Sequence, residues 1–277
     1  FKAALIPGLM LGGLYTFYLL MAARLRPDWA PLASESVESV AMEETEKQSP
    51  LIVALLRDLL GPVVLIVAVL GSIMAGIATP TEAAAIGAGG SILLALLHRQ
   101  LNVQALREVC RLTSKTSGMI LFVVIGATCF SVVFQRLGGA DMIKEMITGT
   151  GLGPYGMLLL LMALIFVLGF FLEWIEISFV VLPLLLPVVS GLDFGGALQG
   201  EALMVWFAIL VAINLQTSFL TPPFGYALFY LKGITDGSVS IGTIYRSITP
   251  FVLLQLIGLT LCILFPSIVL WLPGMNE

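Results

Sequence analysis

Two stretches of this 277-residue chain gather residues that could do chemistry. The first is Asn214-Leu215-Gln216-Thr217-Ser218-Phe219-Leu220-Thr221-Pro222-Pro223-Phe224-Gly225, where the apolar helix expected over 202–214 stops. The amides and hydroxyls of Asn214, Gln216, Thr217, Ser218 and Thr221 are hard oxygen ligands. Pro222 and Pro223 keep the gap from closing into continuous helix, and Gly225 allows close backbone approach. A helix broken within a membrane exposes carbonyls that can coordinate Na⁺ and helix N-termini that attract anions. The second stretch is Glu173-Trp174-Ile175-Glu176, which joins two apolar arms at 154–172 and 177–189. Glu173 and Glu176 are the only acids between Glu145 and Asp193. At membrane depth a carboxylate marks function; at a tip that reaches water it costs little, and both readings stand on the residues alone. Paired carboxylates also suit hydrolysis, but no nucleophile or sugar-binding arrangement accompanies these two.

A third element, Ala78-Thr79-Pro80-Thr81-Glu82-Ala83, interrupts two apolar runs. Pro80 halts one helix and pushes Thr79 out of the helical region. Thr81 is expected to cap the next helix, with Glu82 in its first turn.

The composition says what must carry these interruptions. Hydrophobic residues make up 59% of the chain and charged ones 11%, with a mean hydropathy of +1.06. Soluble domains carry roughly a quarter charged residues, so the chain reads as a membrane protein. The net charge of −4 is local. Residues 28–50 set six acids (Asp28, Glu35, Glu38, Glu43, Glu44, Glu46) against Lys47, and the rest of the chain is nearly neutral. That segment reads as a solvated linker. Nucleic-acid binding is excluded, since no basic patch with interleaved aromatics exists to neutralise phosphates. Cys110, Cys129 and Cys262 form no CxxC pair, and His98, the single histidine, cannot build a zinc site. Gly87-Ala88-Gly89-Gly90 suits close helix packing, and Asp193-Phe194-Gly195-Gly196 suits a turn.

Apolar runs at 3–23, 59–78, 83–97, 117–134 and 250–272 are about the length of a membrane crossing. Arg99, Arg107, Arg111 and Lys115 mark an amphipathic stretch at the membrane surface. If 154–191 is a re-entrant hairpin, ten basic residues fall on one face, among them Arg24, Arg57, Arg99, Arg107, Arg111 and Arg246. Lys2, Arg136 and Lys144 lie opposite, a split that makes the first face cytoplasmic. The chain opens at Phe1 in an apolar run, without a basic leader, and reads as part of a longer polypeptide.

The stretch 78–85, the hairpin from Gly169 through Glu173 and Glu176 to Pro183, and the stretch 214–225 together resemble the large membrane subunit of the tripartite ATP-independent periplasmic (TRAP) transporters, the DctM-like family. The resemblance covers essentially the whole chain. It implies an all-α integral membrane protein with an elevator-type ion-transporter-superfamily fold, of which this chain looks like the C-terminal half. That half would be a second inverted repeat with a re-entrant hairpin and a broken helix. On this reading 1–26 is the last helix of the first repeat and 27–58 an acidic cytoplasmic linker with an interfacial helix. Residues 59–150 are scaffold-type helices and an arm, 151–232 the transport-domain hairpin and broken helix, and 233–277 the C-terminal transmembrane helix. The first repeat's Gly-Ser-Ser tip and Pro-Pro-Ser break have no counterpart here.

The implied activity is not enzymatic: it is sodium-driven import of an organic anion, expected to be a carboxylate, across the bacterial inner membrane. Na⁺, as coupling ion and without another cofactor, would lie between the hairpin tip and the break, held mostly by backbone carbonyls. The residues carried over are Gly169, Glu173, Glu176 and Ser178 on the hairpin and Asn214, Gln216, Thr217, Ser218, Thr221, Pro222, Pro223 and Gly225 at the break. Thr79, Pro80, Thr81 and Glu82 form the other break motif. The family often has aspartate where this chain has Glu173. Implied partners are a small TRAP membrane subunit, a periplasmic substrate-binding protein, the N-terminal half of the same subunit and the lipid bilayer. The rival readings are an intramembrane hydrolase using Glu173 and Glu176, and a channel or passive scaffold subunit.

Overall fold

In hydrocarbon every backbone N–H and C=O must be satisfied within the protein, so runs this apolar fold as helices. The computed structural model describes residues 1–25, 51–139, 142, 145, 149, 151–196, 198–221, 228, 231–232 and 240–274. The acidic segment 28–50 lies outside them, as do Pro222, Pro223 and Gly225. The helices are α1 (Lys2–Leu25), α2 (Leu51–Met74), α3 (Pro80–Leu97), α4 (Val103–Arg136), α5 (Pro154–Leu168), α6 (Trp174–Ser190), α7 (Gly200–Leu220), α8 (Ile241–Leu264) and α9 (Ser267–Leu270). Among the described residues there is no strand. Helices α1, α3, α4, α7 and α8 are each long and apolar enough to cross a membrane.

Helix boundaries follow proline and capping chemistry, in places differently from expectation. Thr79, not Thr81, is the N-cap of α3. Pro80 takes the first helical position, where its missing N–H costs nothing, and this moves the cap one residue upstream of the proline. The turn is a capping box: the Thr79 N–H donates to Glu82 Oε2 at 2.7 Å, and the Glu82 N–H donates to Thr79 Oγ1 at 3.3 Å. Pro62 lies inside α2, which runs through it, a tolerance that membrane helices commonly show. The surface stretch and the span expected to follow it are one helix of 34 residues, α4.

The chain divides into two compact units, one of Phe1 with Phe17–Ser114 and the other of Lys2–Thr16 with Lys115–Glu277. In the first, α2 and α3 pack through small residues. A Cβ added to Gly87 would lie 3.3 Å from Val69 Cγ2, and one on Gly90 would collide with Leu65. The glycine cluster is thus a packing surface, as its composition suggested.

In the second unit α7 is the hub, packed on α5, α8, α9 and the C-terminal part of α6. Of its most apolar stretch 56% is buried, against 6% for α3. Trp206 lies at its centre, fully buried. Its Nε1–H donates to the Cys262 carbonyl at 2.8 Å. In a continuing α8 that carbonyl would accept from residue 266, but Pro266 has no N–H. The indole supplies the donor that the proline withholds. The ring also meets Phe194 edge-on at 5.2 Å, and Phe194 meets Tyr155 at 5.1 Å, tying the turn after α6 to α5 and α7. The turn itself is the expected one: Asp193 Oδ1 accepts from the Gly195 N–H, and Gly195 and Gly196 have positive φ. Replacing Trp206 by Phe keeps an aromatic ring but strands the buried carbonyl. Trp206→Phe should lower unfolding stability in detergent by about 1–3 kcal/mol; a loss below about 0.5 kcal/mol would show the indole bond to be dispensable.

Candidate functional site

Helix α5 gives way at Gly169, whose N–H still bonds Ile165 O at 2.8 Å. The next turns are tight: Phe171 N donates to Leu168 O at 3.0 Å and Leu172 N to Leu168 O at 2.9 Å. Glu173, extended with φ −71° and ψ 162°, is the N-cap of α6, although its side chain makes no capping bond. Two helices stand where two arms were expected, but the joint lies at 169–173 rather than 173–176, so Glu176 falls inside α6. Early in α6, Ile177–Val181 forms a π turn, closed by the Leu182 N–H on Ile177 O. Pro183 accounts for it: in a regular helix its ring would strike the carbonyl of Phe179, and it has no N–H to offer there. Widening the preceding turn removes the conflict.

The two glutamates part company in this geometry. Glu173 is exposed. Glu176 is half-buried, and its Oε2 is shielded without a hydrogen-bond partner among the described residues. Ser178, on the π turn, is also half-buried.

Helix α7 does not stop at Asn214. It continues through Asn214, Leu215, Gln216, Thr217 and Ser218 to Leu220, and only Thr221 leaves the helical region, at φ −93° and ψ 132°. The residue before a proline is driven to extended backbone, so Pro222 sets the end. The polar residues before it stay helical because their hydroxyls bond back onto the helix. Thr217 Oγ1 donates to Ile213 O at 2.8 Å, Ser218 Oγ to Leu215 O at 2.9 Å and Thr221 Oγ1 to Thr217 O at 2.8 Å. Each hydroxyl oxygen still has lone pairs free for a cation. Thr217 and Ser218 are fully buried, whereas Gln216 is exposed.

Two contacts bring hairpin and helix end together. The Asn214 amide, 2% exposed, donates from Nδ2 to Met162 O at 2.7 Å, bonding α7 to α5. One turn further on, Gly169 packs against Ser218. A Cβ there would collide with Ser218 Oγ and lie 2.9 Å from its Cβ and 3.3 Å from Ile165 O. Gly169, Asn214 and Ser218 thus share one interface, with Thr217 buried beside Ser218 in sequence. Among the described residues no three His, Cys, Asp or Glu side chains converge as a metal centre. Any cation here would depend on carbonyls, hydroxyls and a single carboxylate. Thr79 and Glu82 belong to the other unit and spend their side chains on each other, with Thr79 Oγ1 also donating to Glu82 Oε2 at 2.8 Å.

A family model described as "Tripartite ATP-independent periplasmic transporter, DctM component" matches residues 1–268. The chain belongs to this family. Among DctM relatives, the C4-dicarboxylate TRAP transporter large permease protein of Rhodobacter capsulatus is 27% identical over 99% of this chain and 58% of its own length. The sialic acid TRAP transporter large permease protein of Vibrio cholerae is 30% identical over 78% of this chain and 48% of its own. The isethionate TRAP transporter permease protein of Oleidesulfovibrio alaskensis is 29% identical over 75% and 31%. The chain spans about half the length of the curated relatives it matches, or less. All three are named as permeases rather than enzymes, and this DctM chain is an integral inner-membrane protein.

Two residues that the sequence reading passed over matter to this DctM core. Gln255 of α8 is fully buried beside Tyr15 of α1, whose ring meets Phe251 at 5.5 Å. The signal was available, since a polar side chain inside an apolar span is costly; neither Nε2 nor Oε1 of Gln255 has a hydrogen-bond partner among the described residues. The Met162 carbonyl that receives Asn214 carries no such signal, because any backbone group can accept. Gly169→Ala should lower stability by about 1–3 kcal/mol, read as a fall in thermal midpoint. Ser218→Gly should recover part of that loss in the double variant, because the collision involves both positions; purely additive losses would refute the contact.

Proposed function

We propose that this chain is the second half of the large permease of a sodium-driven TRAP transporter, importing an organic anion delivered by a periplasmic binding protein. The observation that carries the reading is the contact of buried Gly169, where the hairpin tip begins, with buried Ser218 in the last polar turn of α7, which ends at Thr221. Irregular backbone at membrane depth persists where it lines a site, and the helix end presents carbonyls and hydroxyls of the kind that suit Na⁺. Glu176, with one shielded oxygen that has no partner among the described residues, adds a side-chain oxygen ligand at the hairpin end of the same unit.

The relatives' names mention sialic acid, C4-dicarboxylates and isethionate. Their common chemistry is a small anion with oxygen-borne charge, which is the substrate class we assign to this chain; a carboxylate is the form we expect. Two roles divide along the chain on this reading. The hairpin and α7 bind the ion and move, elevator-fashion, while scaffold helices and a small membrane subunit hold the bilayer. An ion held between Gly169 and Thr221 would fasten the tip to α7. Sodium binding would then favour the arrangement that receives the anion, and by linkage the anion would raise the affinity for sodium. The N-terminal half of the subunit would complete the anion site.

Uptake by the complete permease, reconstituted with its small subunit and binding protein, tests this. Thr221→Ala and Thr217→Val should each raise the sodium concentration for half-maximal uptake about tenfold, the equivalent of roughly 1.4 kcal/mol of ion binding. Both should leave the requirement for the binding protein intact. Unchanged sodium dependence in both variants would sink the assigned site, and uptake that neither saturates nor needs the binding protein would favour a channel.

A further inference from the structure

We propose that the end of α3 and the start of α4 form a binding site for the phosphate headgroup of an anionic phospholipid. The starting observation is Arg99. It has φ 53°, the single non-glycine residue with positive φ among the described residues; seven glycines take that conformation elsewhere. Arg99 holds the left-handed position of a Schellman ending, with its own N–H on Leu96 O at 3.0 Å and the Gln100 N–H on Ala95 O at 2.9 Å. Glycine fills such a position with less strain, so the backbone alone does not call for arginine. A residue kept in strained backbone points to its side chain.

A groove lies beside Arg99, lined by its neighbours rather than by Arg99 itself. His98 and Gln100, on either side of Arg99, line an open groove of about 540 Å³ together with Pro62, Ser91, Leu94 and Ala95. It is open rather than enclosed; Pro62, Leu94 and Ala95 bring apolar surface to it and Ser91, His98 and Gln100 polar groups, the mixture a lipid meets at the level of its headgroup. Three residues after Gln100, α4 begins, capped by Asn102, whose Oδ1 accepts from the Ala105 N–H at 2.7 Å. Arg107 and Arg111 follow one turn apart on one face, both exposed. At 34 residues α4 is about 51 Å long, well beyond the roughly 30 Å of hydrocarbon. Its polar first turns therefore stand among headgroups. Glu108 is the one acid from His98 to Ser114, and none of the three arginines has an ion-pair partner among the described residues. The charge rule places this end on the cytoplasmic side, where anionic lipids attract each nearby arginine with an affinity gain of about fivefold.

The test compares lipids that copurify with the protein in mild detergent, counted by mass spectrometry after exchange into equal amounts of phosphatidylglycerol and phosphatidylcholine. Wild type should retain phosphatidylglycerol preferentially. Arg99→Gly relaxes the backbone and should fold at least as stably, yet lose retained phosphatidylglycerol about fivefold. Arg107→Gln should lose a similar amount and Arg99→Lys much less. Arg136→Gln, at the other end of α4, should change nothing. Equal retention of both lipids by wild type, or undiminished phosphatidylglycerol in Arg99→Gly, overturns the proposal.

Discussion

A carbonyl without a donor is the constraint on which much of the second unit depends. Proline recurs in these apolar helices, and each one removes an N–H from a medium that offers no water in exchange. The protein meets the deficit in more than one way. At Pro266 an indole from α7 supplies the missing donor to Cys262 O, and so locks α8 to the hub. Before Pro183 the helix widens into a π turn. Before Pro222 the helix simply ends, with Thr221 extended. Packing, hairpin shape and helix break are three answers to one electrostatic demand.

That demand also links stability to the candidate site. Helix α7 is buried because it is the shared partner of α5, α8 and α9, and its last turn is polar. The helix thus brings Ser218 against Gly169 on the hairpin, with Thr217 next to it in sequence and Thr221 at the helix end. The Asn214 bond to Met162 O fixes the separation of α5 and α7 one turn before that meeting point.

Much of this was legible in the residues. The apolar runs announced helices, and the glycines at 87 and 90 announced close packing, which α2 and α3 show. The family resemblance was drawn from those same stretches, and the match over 1–268 bears it out. Errors gathered at boundaries. Asn214 was read as a stop because amides usually leave helices, yet a buried amide with a carbonyl to bond stays in one. Thr81 was read as a cap because it follows the proline, but proline prefers to sit inside the first turn. The charge pattern of the amphipathic stretch before 117 does not reveal that its backbone continues into the span as α4. Trp206 and Pro266 are 60 positions apart, and no local pattern connects them.

The π turn has a further consequence for how this region changes over evolutionary time. A π turn is in effect one extra residue carried inside a helix. Everything after Val181 is rotated by about 100° relative to an uninterrupted helix of the same start. Losing Pro183 would leave the insertion without a purpose, while deleting the insertion with Pro183 still present would turn Leu185, Val188 and Val189 away from the core they now fill. The proline and the additional residue are therefore bound to arrive and depart together, and a one-residue difference in arm length among relatives is the mark such a paired event leaves behind.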